Sequence, residues 1–150
     1  MTPVRRRVRR SFAATPAIEP SPKRLLLDTH VWLWWQADDA RLGVETRELI
    51  QRASEVRFSA ASAWEIAVKI NAGKLKLPKN ADIAAELAHS GFLVLPVELA
   101  HAEQMRHLPV LHRDPFDRLL VAQARVEELT LVTVDRALSA YDVAVLDATL

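Results

Sequence analysis

The 150-residue chain contains no cysteine, which excludes disulfides, thiolate metal sites and a cysteine nucleophile. Glycine is nearly as scarce. With only Gly43, Gly73 and Gly91 available, there is no G-x-G pair and no Gly-Lys-Ser/Thr run, so no glycine-rich loop can cradle a phosphate. Long apolar runs are missing too. The longest stretch without Asp, Glu, Lys or Arg extends from Leu87 to Val97, well short of the roughly 18 apolar residues a membrane helix needs. These absences lead to the expectation of a soluble, cytoplasmic protein with no membrane partner. Half of the residues are hydrophobic and 26% are charged, as in an ordinary globular domain of this length.

Charge of neither sign dominates, since 20 Lys plus Arg face 19 Asp plus Glu for a net +1, yet its distribution is uneven. Residues 1–24 hold Arg5, Arg6, Arg7, Arg9, Arg10, Lys23 and Arg24 against Glu19 alone, a net +6, which leaves −5 for the rest. Pro3, Pro16, Pro20 and Pro22 fall in the same segment, and no apolar periodicity links them. Residues 1–23 are therefore read as a flexible basic arm preceding a domain over 24–150. Three uses of the arm stand open: charge-based nucleic-acid binding, targeting, or an upstream extension with no role. It lacks the apolar block of a secretory signal.

From Arg24 onward short apolar runs alternate with helical patterns. Strands are predicted at Leu25–Leu27, Val56–Phe58, Phe92–Leu95, Leu131–Val134 and Val143–Leu146. Between them lie helices over Thr29–Gln36, Glu45–Ala53, a segment holding Ala63, Ile66, Ala67 and Ile70, one holding Ile83, Ala84, Leu87 and Ala88, then Ala100–Arg106, one starting at Pro115, and Arg136–Tyr141. Brief apolar strands separated by helices belong to a parallel sheet covered on both faces. The expected fold is a three-layer α/β/α sandwich with a short parallel sheet.

Four carboxylates stand out by position. Asp28 ends the first strand in LLLDTHVWLW and Asp135 ends a later one in LVTVDRAL, at the sheet edge where open α/β folds bind ligands. Glu65 in SAASAWEIAVK and Asp117 in HRDPFDRLLVAQA each lie in the first turn of a helix. Taken singly, each has a capping alternative: Ser62 and Glu65 make a capping-box spacing, Asp114–Pro115 reads as an N-cap with a first-turn proline, and Asp28 and Asp135 can cap helices after their strands. An aspartate closing an apolar strand has a poor structural excuse, however, and four acids brought together repel one another unless a cation lies between them. Carboxylates without thiolates suit a hard ion such as Mg2+ or Mn2+. Such an ion keeps waters and offsets charge on a phosphate, which points to metal-assisted phosphodiester hydrolysis.

These four segments, in this order and over most of residues 24–147, resemble the PIN domain, in particular VapC-type toxins of type II toxin-antitoxin pairs. The resemblance implies a Mg2+- or Mn2+-dependent endoribonuclease, an RNA substrate, a homodimer and a cognate antitoxin protein that covers the active site. It assigns catalysis to Asp28, Glu65, Asp117 and Asp135, with Asp28, Asp117 and Asp135 as metal ligands. The basic arm departs from the family pattern, which begins within a few residues of the first strand.

Around this quartet, Thr29 and Thr133 are candidate hydroxyls supporting their neighbouring aspartates, and Asp114 is a cap with an outer metal contact as its alternative. His30, Arg113 and Arg118 are candidate substrate contacts, each with a solvated-surface alternative. His89, His101, His107 and His112 show no ligand spacing and are set aside. Trp32, Trp34, Trp35 and Trp64 cannot all enter the core, because Trp32 and Trp35 share a helix side that Trp34 does not. The exposed remainder is expected to mark a protein interface. Two other readings stay open: a PIN-like binding or scaffold protein without turnover, and an aspartate-nucleophile phosphotransferase. The second needs another Asp two positions after Asp28, where His30 stands.

Overall fold

The computed structural model describes residues 23–150, so the expected basic arm lies, but for its last residue, outside them. Five strands form one parallel sheet: β1 Arg24–Leu27, β2 Glu55–Ser59, β3 Leu93–Leu95, β4 Thr130–Thr133 and β5 Val145–Asp147, in the spatial order β3-β2-β1-β4-β5. Helices α1 Thr29–Gln36, α2 Val44–Arg52, α3 Ala60–Asn71, α4 Ile83–Ser90, α5 Leu99–His107 and α6 Pro115–Glu127 make the connections, with a 3-10 segment at Arg136–Ala140.

β1 sits at the centre, pairing with β2 on one side and β4 on the other, so that Leu26 lies between Arg57 and Leu131. Its three leucines are fully buried because both faces of the strand are covered. Leu25 and Leu27 pack with Trp32, Ile50, Phe58 and Ile66, whereas Leu26 packs with Leu120, Val121 and Leu131. This alternation divides the helices into two layers, α1–α4 on one face and α5–α6 on the other. Each leucine so buried contributes about 1.5–3 kcal/mol, which makes β1 the anchor of the sheet.

Several boundaries differ from the sequence expectation for physical reasons. β2 runs into α3 without a loop, so Ser59 is the N-cap, its Oγ accepting the Ala61 N–H. Ser62 therefore lies inside the first turn, and the expected Ser62–Glu65 capping box does not form. β3 begins at Leu93 and is an edge strand, leaving Leu93 and Val94 half exposed. The last strand begins at Val145, after a turn in which the Val143 N–H donates to the Tyr141 carbonyl. α4 does end at Gly91, whose φ of +72° favours glycine. Gly43 is required for another reason: the Leu150 carbonyl lies where its Cβ would be, because that carbonyl accepts the Thr46 N–H at 3.0 Å.

The tryptophans divide as expected, with differing outcomes. Trp32 packs on Phe58 and Trp35 on Phe92, while Trp34 lies beneath the Arg41 guanidinium. Trp64 is 64% exposed and meets Phe116 edge-on, 5.4 Å between ring centres. That contact ties α3 to α6 one residue before Glu65 and Asp117 respectively.

Candidate active site

All five strands point the same way, so their carboxyl ends share one edge, and four segments deliver acids to it. β1 ends at Asp28. The backbone N–H of Asp28 donates to the Val132 carbonyl at 2.9 Å, which extends the β1–β4 pairing by one residue and sets Asp28 opposite Thr133. The Thr133 hydroxyl donates to Asp28 Oδ2 at 2.7 Å and accepts the Asp135 N–H at 3.1 Å. One hydroxyl thus fixes two of the four acids. The companion candidate, Thr29, behaves differently: its Oγ1 is buried and makes no hydrogen bond within the described residues.

Glu65 is buried on the second turn of α3 and not, as expected, on the first, because the helix already starts at Ala60; Lys69 lies one turn further at 3.7 Å. Asp117 arrives on α6, which starts at Pro115 under an Asp114 cap whose carboxylate accepts the Phe116 and Asp117 N–H groups at 2.8 and 3.4 Å. Asp114 is thus engaged as a cap. Asp135 uses Oδ1 to accept the Ala137 N–H, capping the 3-10 segment, and offers Oδ2 to the interior of the cluster.

The electrostatics show that these groups act on one another. Burial, and then the charges of Asp28 and Asp114, push the Asp117 carboxyl up to about 7, with Glu65 adding to the rise and His112 opposing it. Burial likewise pushes Asp28 up, against the Thr133 hydrogen bond and the nearby His30 ring, which favour its charged form. Carboxylates held up in this way are short of positive charge. A donor set of carboxylate oxygens without a thiolate fits a hard divalent cation such as Mg2+ or Mn2+.

One residue of this cluster, His112, carries no signal in the sequence. His112 Nε2 lies 2.7 Å from Asp135 Oδ2 and 3.7 Å from Asp117 Oδ2. Ligand atoms of His112, Asp117 and Asp135 all fall within 4.8 Å of one another. No ligand spacing flags it, because His112 sits in the irregular segment before α6, where no helical or strand period relates it to the acids. The segment is held by Tyr141, whose phenol oxygen accepts the Leu111 and His112 N–H groups at 3.2 and 3.0 Å.

The remaining candidates separate. His30 is exposed beside Asp28. Arg113 lines, with Glu65, Lys69, Lys74 and Phe116, a cleft of about 400 Å³ next to the acids. Arg118 turns away: its Nη2 reaches the Leu108 carbonyl at 3.4 Å, so it is a strut between α6 and the preceding segment.

A parallel α/β/α domain with a cluster of acids at the carboxyl edge of its sheet is the class that fold and site define. The chain belongs to the PIN domain family, whose sequence pattern matches residues 25–144. It is similar to ribonuclease VapC22 of Mycobacterium tuberculosis, with 29% identity over 119 residues that cover 78% of this chain and 91% of the relative. Its fold matches that of VapBC2 from Rickettsia felis, solved bound to a DNA fragment from its promoter, with a TM-score of 0.64 at 15% identity over 82% of this chain and 97% of that one. DNA-bound VapBC from Salmonella typhimurium gives 0.59 at 18% identity, over 83% and 98%. At these identities the likeness to the solved structures is one of fold.

Proposed function

We propose that the protein is a divalent-metal-dependent endoribonuclease that hydrolyses RNA phosphodiester bonds and forms the toxin half of a type II toxin-antitoxin pair. The observation that carries this reading is the gathering of acids at the carboxyl edge of the sheet: the Thr133 hydroxyl bridges Asp28 and the Asp135 backbone, Asp117 and Asp135 bring carboxylate oxygens within 4.8 Å of each other, and burial with the neighbouring acids pushes Asp117 up to about 7. Asp28, Asp117 and Asp135 would hold the cation. When bound, a Mg2+ or Mn2+ ion supplies charge neutralisation at a phosphate and an activated water.

The chain's own residues do the rest. Thr133 orients Asp28 and the backbone of Asp135 together, so the two acids keep one spacing. Glu65, whose one ion-pair partner among the described residues is Lys69 at 3.7 Å, presents a carboxylate that would orient a water. Arg113 and Lys74 on the adjoining cleft face a polyanion. A solved structure of similar fold from Klebsiella pneumoniae is a toxin-antitoxin complex; by analogy this chain takes an antitoxin partner, and the resemblance to VapC-type toxins adds a homodimer. No helix of the described residues is long and apolar enough to cross a membrane.

The test is cleavage of a panel of structured RNAs by the wild type and Asp28→Asn with Mg2+, Mn2+ or EDTA. Metal-dependent cleavage lost in the variant is expected, and cleavage that survives EDTA sinks the reading.

A further inference from the structure

His112 stands within reach of two acids assigned to the cation, and its position alone would suit a nitrogen ligand. Its hydrogen bonds say otherwise. The backbone N–H of Asp114 donates to His112 Nδ1 at 3.2 Å, so Nδ1 carries a lone pair and the ring proton of the neutral imidazole resides on Nε2. Nε2 is the atom 2.7 Å from Asp135 Oδ2, a distance that fits N–H donation to a carboxylate. To ligate a cation through Nε2, the ring would have to surrender both bonds and shift its proton.

We propose that His112 is a positioning residue: through Nε2–H it holds Asp135 Oδ2 beside Asp117, and it stays out of the coordination sphere. The inference rests on the metal-dependent reading above and extends it. The support behind the ring is built for this purpose. Tyr141, buried at the end of the 3-10 segment, accepts the N–H groups of Leu111 and His112, while Asp135 caps the start of the same segment. Ring and carboxylate are thus tied to one short piece of chain. Withholding the nitrogen leaves the cation an all-oxygen set, which favours Mg2+ and Mn2+ over Zn2+ or Ni2+.

Two measurements test this. Nitrogen NMR of the imidazole should show His112 protonated at Nε2 in the metal-free protein and unchanged by Mg2+; loss of that proton, or a metal-bound shift at Nε2, overturns the proposal. Calorimetric titration with Mg2+ should show affinity falling about tenfold in His112→Ala, as for outer partners of metal ligands. His112→Gln, whose amide nitrogen can donate from a similar position, should recover most of that loss. No loss in the alanine variant, or an equal loss in both, also overturns it. A wild type that binds no Mg2+ sinks the nuclease reading instead, and His112 is then judged on the metal-free ring alone.

Discussion

The two edges of the sheet both gather charge, and they treat it in opposite ways. At the amino edge Glu55 accepts from Arg24 at 2.6 Å and from Arg57 at 2.7 Å, and these bonds hold its carboxyl below the usual range. Glu127 accepts there from the buried His101 at 2.9 Å, and Arg57 lies 4.0 Å away. Every acid in that group has a cationic or N–H partner supplied by the chain. At the carboxyl edge Asp28 and Asp117 are pushed up, and Lys69 at 3.7 Å from Glu65 is the nearest lysine partner described. On the function proposed above, the contrast separates structural carboxylates from those assigned to the cation: a group neutralised from within holds the fold, and a group left in deficit is the one proposed to take a cation from outside.

The largest effect should come from Asp28→Asn. Losing an acid of the cation site is expected to slow RNA cleavage by about a thousandfold or more, equivalent to several kcal/mol of transition-state stabilisation. The metal-free variant should melt no lower than wild type, because burial already disfavours the Asp28 charge. Cleavage rates and thermal melting on the same preparation check both halves. A variant that cleaves at the wild-type rate would erase the distinction between the edges.

Next comes pH. Asp117 sits at about 7 in the folded chain against an ordinary 3.8, so the folded state binds this proton more tightly than the unfolded state does. The associated stability is fully present below about pH 4 and is lost as pH rises to about 7. In EDTA the melting temperature should therefore fall over that interval, by on the order of 10 °C from this group alone. Mn2+ or Mg2+ should restore it at pH 8, and Asp117→Asn should flatten the dependence. Glu55 works in the reverse sense, stabilising above its unfolded pKa and losing that contribution as acid protonates it.

Thr133→Val comes third. It keeps the shape and removes the hydroxyl shared by Asp28 and Asp135, so Mg2+ affinity should drop roughly tenfold by calorimetry. The smallest effect is expected from Glu55→Gln at the amino edge: a loss below about 1 kcal/mol in denaturant unfolding, since its partners are partly exposed, with RNA cleavage unchanged.

The parts of this arrangement legible in the sequence are those governed by period and chain order. LLLD and LVTVD announce strands with an acid at the carboxyl end, and Asp114–Pro115 announces the start of α6, with Asp117 following in its first turn. What escaped depends on contacts distant in sequence. Ser59 caps α3 instead of Ser62 because β2 joins the helix directly, and its hydroxyl also donates to Gln123 on α6 at 2.6 Å. His112 enters the site through Tyr141, 29 residues later, a bond no local pattern encodes. Arg118, adjacent to Asp117, is drawn off by the Leu108 carbonyl, so neighbourhood in sequence did not become neighbourhood in space.

The bond between Thr133 and Asp28 joins residues 105 apart, and the central strand takes one of its two neighbours from that distance. Contacts of such long range form late, since loop closure must be met before pairing gives any return. On the ribosome, the first hundred residues emerge with β1 unpaired on one flank and Asp28 without its hydroxyl partner. A chain interrupted before β4 therefore carries three of the four acids and lacks both Asp135 and the Thr133 hydroxyl. The pairing of Asp28 with Asp135 through one hydroxyl therefore exists only once β4 has docked against β1.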